Sequence, residues 1–320
     1  MSEVHPPAPG FRHLLHRIRD PDSFHLALSG VQLAADFLAP QQLPARVEQF
    51  QSPRWTLDFH EAHVKARIHG PLPPGWGSVA LMRSAADSAW HGFSGGEGVF
   101  FCLPPGQPID GTINPGFVGM TIVVPPEIWE RCRQVAGIAG EHHGRVTAHR
   151  FAGAKLARLE QALAATRELL RTADALPHLA PLAIDDTTQF ITDLVANGWE
   201  LSMQAQEPRE SYRNRVRLAR RAEVWMRAHL SEPFRVPDLC LALHVSRREL
   251  EYAFRVAFDQ SPRDFIHALR LNAIRRVLQR TRQPASILDI ALAHGVTHPS
   301  RFAAHYRAFF GERPSETVRG

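Results

Sequence analysis

The amino-terminal part of the chain alternates short apolar stretches with glycine and proline. These stretches lie at Phe24–Leu28, Arg46–Phe50, Trp55–Ile68, Val79–Met82, Val99–Leu103 and Met120–Val124. From Gly70 to Pro126 there are 11 glycines and 9 prolines, which is unfavourable for helices and typical of turns in an antiparallel sandwich or barrel. The pattern predicts a mainly β domain. The proline-rich residues 1–22 before it are predicted to form an arm with at most a short helix over Phe11–Ile18.

From Phe151 onward the apolar residues recur at helical spacing. The pattern predicts helices over Phe151–Ala175 and Ile184–Met203, and Pro177 with Pro181 ends the first of them. Such a helical pair either forms a dimer surface or packs against the sheet of its own domain, and both alternatives remain open. The polar run Ala205–Arg213 is predicted to be a linker.

The part of the chain beyond the linker is predicted to be helical throughout. The predicted helices are Tyr212–Leu230, Pro237–His244, Arg247–Phe258, Pro262–Arg280, Ile287–His294 and Pro299–Phe310, followed by a frayed end. The fold class is therefore predicted to be α+β. A β-rich domain with helices at its end spans residues 1–205, and an all-α domain spans residues 213–320.

The helical domain contains an internal repeat. Asp238–Ala242 matches Asp289–Ala293 at an offset of 51 residues. After the turn the offset becomes 52, which aligns Leu250, Phe254, Phe258 and Pro262 with Phe302, Tyr306, Phe310 and Pro314. Each copy has a short helix with a small residue, a tight turn, and a second helix with apolar residues four apart. This is the pattern of a helix-turn-helix unit.

Capping and turn signals support both units. Ser246–Glu249 has the pattern of a capping box at the start of the second helix of the first unit. In the second unit, Ser286 begins the first helix in a similar way, Gly295 supplies the turn and Pro299 suits a first helical position. The helix Asp264–Arg280 that joins the units has a length of about 25 Å. Successive major grooves on one face of DNA are about 34 Å apart, so one chain could occupy two of them.

The outer faces of the two second helices carry the candidate DNA contacts. The first presents Arg247, Arg248, Glu251, Tyr252 and Arg255, and the second presents His298, Ser300, Arg301 and His305. Two arginines at the amino end of a helix can reach guanine edges in a major groove, whereas Arg255, one turn later, is better placed for a phosphate. The second helix has fewer groups able to discriminate bases, so we expect it to anchor. Each of these residues is also compatible with an ordinary solvated helix face.

The charge is distributed unevenly along the chain. Residues 209–320 contain 21 arginines and no lysine against 11 acidic residues, whereas residues 1–208 contain 16 basic and 21 acidic residues. A basic domain joined to an acidic one is the distribution expected of a nucleic-acid-binding domain with a non-binding partner. Compositional bias explains why arginine greatly outnumbers lysine, but it does not explain the asymmetry.

Residues from about Arg213 to Thr317 resemble the DNA-binding domain of the AraC/XylS family of bacterial transcription regulators. The resemblance runs through Asp238–Leu239, Val245–Ser246, Leu250, Phe254, Pro262, Arg270–Leu271, Ala273, Leu278, Ile287, Ile290–Ala291, Gly295, Phe302, Tyr306, Phe310–Gly311 and Pro314. It implies a non-enzymatic homodimer without a cofactor that binds a double-stranded DNA operator. It also implies a small-molecule effector bound by the β-rich domain, and contact with RNA polymerase if the protein activates transcription.

Within that family, three runs are most similar to the branch that contains the ethanolamine-utilisation regulator. They are Asp238–Cys240, Leu243–Arg248 and Arg270–Ala273. The chain also departs from the family pattern. Cys240 and Val296 stand where the family usually has Ala and Phe, and Gln260 replaces the usual Gly before Ser261–Pro262. Gln260 lies in the exit turn of the first unit.

The β-rich domain admits three kinds of sensor. In the first, Trp55, Trp76, Trp90 and Phe93 are walls of an effector pocket, although aromatic residues of β domains more often belong to the core. In the second, a metal-dependent, enzyme-like site would use His60, His63 and His69 with Glu61, or His142–His143. Strand alternation places His60 and His63 on opposite faces, so no metal is expected.

The third kind of sensor would use reactive cysteines. Cys102, Cys132 and Cys240 are too dispersed for a redox pair or a cysteine-rich metal site. Such sparse cysteines, together with the absence of a bilayer-spanning apolar run or a signal-peptide core, predict a cytoplasmic protein that does not contact membranes.

Overall fold

A computed structural model describes residues 10–21, 23–24, 31–40, 45–84, 89–137, 144–203, 209–281, 286–296 and 299–318. Two antiparallel sheets, three helices beside them and a helical bundle make up this part of the chain. None of its helices has both the length and the apolar character needed to cross a bilayer. The predicted α+β class, with a β-rich part followed by a helical part, is confirmed.

The β-rich part is built from short strands. They are β1 (Arg12–Ile18), β2 (Ala34–Phe37), β3 (Ala45–Gln51), β4 (Thr56–Ala62), β5 (Ala66–Gly70), β6 (Gly77–Ser84), β7 (Ala89–Trp90), β8 (Phe93–Ser94), β9 (Val99–Leu103), β10 (Ile109–Ile113), β11 (Phe117–Val124) and β12 (Thr147–Arg150). A seven-stranded sheet has the order β1-β3-β4-β11-β6-β9-β12, and a five-stranded sheet has the order β2-β5-β10-β7-β8. The predicted strand Trp55–Ile68 is two strands, β4 and β5, separated by a turn. Most of the predicted strand Phe24–Leu28 lies outside the described residues.

The seven-stranded sheet is covered on both faces, which explains its continuous apolar runs. In β6, Ala80 and Met82 belong to the core shared with the five-stranded sheet. Their neighbours Val79 and Leu81 belong to a second core, shared with the helices. Because side chains alternate along a strand, burial on both faces requires apolar residues at every position.

The prediction of a short helix over Phe11–Ile18 is wrong. These residues form β1, which pairs antiparallel with β3 from Arg12↔Gln51 to Ile18↔Ala45. The ring of His13 stacks on Phe50 at 4.6 Å, and its Nε2 lies 3.0 Å from Glu48 Oε1. The edge of β3 thus offers this segment backbone hydrogen bonds and a cross-strand partner, which local spacing could not reveal.

Three helices cover the outer face of the seven-stranded sheet. They are α1 (Pro126–Val135), α2 (Gly153–Ala175) and α3 (Ala180–Met203). Leu170 and Ile191 are buried in the second core, and the indole N–H of Trp55 donates to Thr188 Oγ1 at 3.0 Å. One face of the predicted helical pair therefore packs against its own sheet.

The bundle confirms the predicted helices with shifts of at most two residues at each end. They are α4 (Glu210–Ala228), α5 (Val236–Leu243), α6 (Arg247–Phe258), α7 (Pro262–Arg280), α8 (Ile287–Ala293) and α9 (Pro299–Phe310), and a short α10 (Pro314–Thr317) lies where a frayed end was predicted. Helix α4 begins at Glu210, inside the segment predicted to be a linker. Helix α7 lies alongside β2, so the bundle contacts the five-stranded sheet.

Candidate nucleic-acid interface

The turn of the first helix-turn-helix unit is fixed by local hydrogen bonds. His244 closes α5 in the left-handed region at φ +55°, and the N–H of Val245 donates to the carbonyl of Cys240 at 3.1 Å. The predicted capping box is present, since the N–H of Glu249 donates to Ser246 Oγ and the N–H of Ser246 donates to Glu249 Oε2 at 2.8 Å. These bonds satisfy amides that a helix start leaves unpaired, and so fix the first turn of α6.

Packing decides which face of α6 is available to DNA. Leu250, Phe254 and Phe258 are buried, and the ring of Phe258 stacks on Phe265 of α7 at 4.6 Å. The opposite face is exposed and carries the five predicted residues Arg247, Arg248, Glu251, Tyr252 and Arg255. This separation of an apolar and a charged face is what a helix that enters a groove requires.

Two contacts order the exposed face of α6. Arg247 Nε donates to Glu251 Oε1 at 2.8 Å, and the guanidinium of Arg215 on α4 lies 4.2 Å from the centroid of the Tyr252 ring. Arg215 and Arg248 also line a shallow surface depression between α4 and α6. Sequence reasoning missed Arg215, although the run of arginines at the start of α4 could have indicated it.

The second unit presents a less charged face. Ser300, Arg301 and His305 are exposed on α9, as predicted, while His298 lies outside the described residues. The ring of His305 meets His267 of α7 edge-on at 5.5 Å. On the inner face, the hydroxyl of Tyr306 lies 2.8 Å from Thr317 Oγ1, which ties α9 to α10.

Arg270 on α7 holds the two units together. Its Nη2 donates to the carbonyls of Glu232 and Phe234, at 3.1 and 3.2 Å, ahead of α5. A Cβ at Gly295, in the turn of the second unit, would lie 2.8 Å from the same guanidinium. Gly295 also has φ +71°, a conformation that favours glycine. The arginine side chain therefore spans from the entrance of one unit to the turn of the other.

Comparison with known proteins agrees with this architecture. Residues 239–320 match the protein-family model described as "Helix-turn-helix domain". A solved transcriptional regulator from Chromobacterium violaceum, described as containing an AraC-type DNA-binding domain, is 33% identical over 32% of this chain and 89% of its own, with a TM-score of 0.30. Residues 239–320 of the carboxy-terminal bundle are a helix-turn-helix domain.

Two curated relatives are similar to part of this chain. The HTH-type transcriptional regulator CdhR of Pseudomonas aeruginosa is 38% identical over 91 residues, which are 28% of this chain and 26% of that protein. The HTH-type transcriptional regulator ArgR of the same organism is 35% identical over 95 residues, which are 30% of this chain and 28% of that protein. The chain thus spans about a quarter of the length of these relatives. The helix-turn-helix domain inferred from the repeat is confirmed.

The β-rich part contains a cavity between its two sheets. Apolar side chains such as Val47, Ile68, Phe101 and Ile113 make up most of its lining. The centre of a water-sized sphere can reach about 50 Å³ of it, which is several times the roughly 10–15 Å³ that one water needs on that measure. An occupant larger than this space requires the lining side chains or strands to move.

Two polar atoms of the cavity lining are unsatisfied. His60 Nε2 and Trp90 Nε1 are buried without a hydrogen-bond partner among the residues the structure describes. Burial lowers the pKa of His60 to about 4 and that of His91, also in the lining, to about 3. Both imidazoles are therefore neutral near pH 7. Buried polar groups without partners are costly, so a ligand with a hydrogen-bonding group would be stabilised here.

The aromatic residues proposed as pocket walls lie in three different places. Trp90 lines the cavity. Trp55 is fully buried in the second core, on the other side of the seven-stranded sheet. Trp76 and Phe93 are partly buried and pack against the first core.

The described residues contain no group of three or more His, Cys, Asp and Glu side chains that could hold a metal ion. His60 lines the cavity, whereas His63 lies 3.3 Å from Glu61 at the surface. His142–His143 lies outside the described residues.

The cysteines are placed unfavourably for reactive chemistry. Burial raises the pKa of Cys102 and Cys132, the latter to about 11, and burial also raises that of Cys240. The thiolate is the reactive form of cysteine, so these thiols are poor nucleophiles.

Proposed function

We propose that the chain is a sequence-specific transcription regulator that binds double-stranded DNA in two adjacent major grooves. The supporting observation is the exposed face of α6 in a helix-turn-helix domain, with two arginines in the first turn of the helix. Helix α7, with its 19 residues, is about 28 Å long. A spacer of that length suits two recognition helices in grooves about 34 Å apart, with slight bending of the duplex.

Each exposed residue is proposed to have a defined role. Arg247 and Arg248 contact base edges, with Glu251 and Tyr252 beside them, while Arg255 and the newly identified Arg215 contact phosphates. On the second recognition helix, Ser300, Arg301 and His305 anchor the domain to the neighbouring groove, together with His298, which precedes the helix in the sequence. Because Glu251 accepts from Arg247, it also limits the directions in which that guanidinium can point.

A genome-wide footprint of the intact protein tests this proposal. The expected result is a set of short recurring sites with two half-sites one helical turn apart. Purified protein should bind the recovered sites at least about a thousandfold more tightly than random DNA of equal length at the same salt concentration. Equal affinity for both would contradict sequence-specific regulation.

The same footprint tests the ethanolamine-utilisation branch, which rests on three short runs of sequence. Cells would be grown with and without ethanolamine plus cobalamin. Sites beside an amine-utilisation operon, with occupancy that depends on these compounds, would support the branch. Sites elsewhere whose occupancy does not respond to these compounds would still support a transcription regulator but would contradict the ethanolamine-utilisation branch.

The β-rich part is proposed to bind a small effector in the cavity between its sheets. The lining favours an uncharged, mainly apolar molecule with one hydrogen-bonding group, because a charge buried among Val47, Phe101 and Ile113 would be unpaired. Calorimetry with naphthalene and 1-naphthol, which differ by one hydroxyl, tests this. The hydroxyl should increase affinity in the wild type and lose that advantage in His60→Leu. If the wild type and His60→Leu favoured 1-naphthol over naphthalene equally, His60 would be excluded as the partner of the hydroxyl.

The regulator is further proposed to act as a cytoplasmic homodimer, and to contact RNA polymerase if it activates transcription. Exposed apolar side chains at one end of the α2–α3 pair support the dimer, since Leu176 in the connection and Leu182 on α3 are 45% and 59% exposed. Sedimentation of the purified chain should give a dimer that Leu182→Glu weakens. A monomer at all concentrations would exclude it.

A further inference from the structure

The helix-turn-helix domain is joined to the five-stranded sheet by charged groups that are buried. Asp36 on β2 is fully buried. Its Oδ2 forms an ion pair with Arg227 of α4, and its Oδ1 accepts a hydrogen bond from Arg276 of α7, each at 2.6 Å. Burial alone would raise the pKa of Asp36, but the two arginines offset this and hold the pKa below its usual value. Asp36 is therefore ionised and binds two helices of the bundle at once.

A second set of ion pairs continues from the first. Arg67 on β5, which is 4% exposed, donates to Glu223 of α4 at 3.0 Å and pairs with Asp110 of β10 at 2.6 Å. Asp110 also pairs with Arg220 of α4 at 2.8 Å, and Glu223 pairs with Arg227 at 2.7 Å. We call these seven residues the ionic cluster: Asp36, Arg67, Asp110, Arg220, Glu223, Arg227 and Arg276. It contains four arginines and three carboxylates.

Neutral hydrogen bonds reinforce the cluster along the edge strand β2. Asn272 of α7 accepts from the N–H of Phe37 at 3.1 Å and donates to its carbonyl at 2.8 Å, in the manner of a neighbouring strand. Gln260, in the α6–α7 turn, donates to the carbonyl of Leu38 at 2.6 Å. Together, the ion pairs and these hydrogen bonds come from α4, the α6–α7 turn and α7. These are the elements that position the first recognition helix.

The cavity and the ionic cluster share two strands. Ile68 on β5 and Ile109 on β10 line the cavity, while the adjacent residues Arg67 and Asp110 belong to the cluster on the other face of the sheet. His91, also in the cavity lining, donates its N–H to the carbonyl of Asp110 at 2.8 Å. A displacement of β5 or β10 by an occupant of the cavity therefore moves cluster residues directly.

We propose that the ionic cluster is a latch that transmits occupancy of the cavity to the first helix-turn-helix unit. This rests on the proposed function, in which the cavity binds an effector and the bundle binds DNA. An occupant larger than the present free space displaces β5 and β10 relative to α4, and this displacement disrupts the geometry of the ion pairs that Arg67 and Asp110 make with α4. The cluster can open at a small cost in free energy, because buried ion pairs gain little over their solvated state. Polar interfaces between domains also resemble transient ones.

Distance measurements between two spin labels test the latch in the full chain. The labels are placed at Glu130→Cys on α1 and Leu241→Cys on α5, both exposed, in a Cys240→Ser background. The wild type should give one narrow distance distribution. Asp36→Asn and Asp110→Asn keep the shape but leave arginines without carboxylates, so each should add a broader population at longer distance. Asp185→Asn, which breaks an exposed ion pair with Arg54, is the control and should change nothing.

Cavity-filling substitutions replace the unidentified effector in this experiment. Ala80 lines the cavity, and Ala80→Val and Ala80→Leu add volume there in two steps, with circular dichroism used to select folded protein. In the otherwise wild-type protein, the population at longer distance should be larger with Ala80→Leu than with Ala80→Val. In the Asp110→Asn background, the Ala80 substitutions should not enlarge it further. A single unchanged distance in the folded Asp36→Asn, Asp110→Asn and Ala80 variants would overturn the latch. Footprinting distinguishes the two proposals, since a released latch without specific DNA sites would contradict the regulator rather than the latch.

Discussion

Gln260 donates its side-chain amide to the carbonyl oxygen of Leu38 at 2.6 Å, so the turn after the first recognition helix is bonded to the β-rich part. This position departs from the family pattern, in which glycine is usual. The departure is explained here by a contact that glycine could not make. Gln260 therefore belongs to the interface between the two parts of the chain.

Gln260→Ala should lower the free energy of unfolding by about 1 kcal/mol, because it leaves a carbonyl without its donor. Chemical denaturation measures the change. Gln189→Ala removes an exposed helical contact with Asp193 and should cost only about 0.3 kcal/mol. Equal costs for the two variants would mean that the bond to Leu38 adds no stability.

Arg248→Ala should weaken binding to a recovered operator by about 1–3 kcal/mol and affect random DNA less, because a guanidinium on a guanine edge discriminates bases. Gel-shift titration on both DNAs at one salt concentration measures this. Arg158→Ala on α2, exposed on the other domain, is the control. An equal loss on operator and random DNA would assign Arg248 to a phosphate instead.

Phe254→Ala should destabilise the helix-turn-helix domain by about 3–5 kcal/mol, because it opens a cavity beside Phe258 and Phe265. Chemical denaturation checks the value. Leu241→Ala removes a leucine that is 75% exposed and should stay within about 0.5 kcal/mol of the wild type. A small effect of Phe254→Ala would show that α6 is not held by this core.

Two glycines separate backbone strain from side-chain crowding. Gly311 has φ +80° with open space around it, so Gly311→Ala should cost about 1–2 kcal/mol from the backbone alone. Gly295 has φ +71° but faces Arg270, so Gly295→Ala should cost a further 1–3 kcal/mol or so. Thermal and chemical unfolding measure both. Equal costs would mean that Arg270 moves aside freely.

His60 should make the protein less stable as the pH falls. Its pKa is about 4 in the folded protein and about 6.5 in an unfolded chain. The unfolded state therefore binds the extra proton between these values, and stability present above pH 6.5 is lost on acidification towards pH 4. His60→Leu should reduce the loss between pH 7 and pH 5 by about 2 kcal/mol. His63→Leu, at the surface, serves as the control, and an unchanged pH dependence in His60→Leu would contradict the assignment.

The sequence by itself determined the helix-turn-helix repeat and the faces of its helices. Capping at Ser246 and the apolar spacing of Leu250, Phe254 and Phe258 involve residues within a few positions of one another, and such local interactions are written directly into the sequence. The same spacing left Arg247 and Arg248 on the outside.

The tertiary structure alone decided the features that join distant residues. Arg276 and Asp36 form an ion pair across 240 positions, and β1 is a strand because the edge of β3 is available to it. The cavity likewise depends on how two sheets face each other. No local pattern specifies such partners, since they are selected only when the folded chain brings the elements together and excludes water from between them.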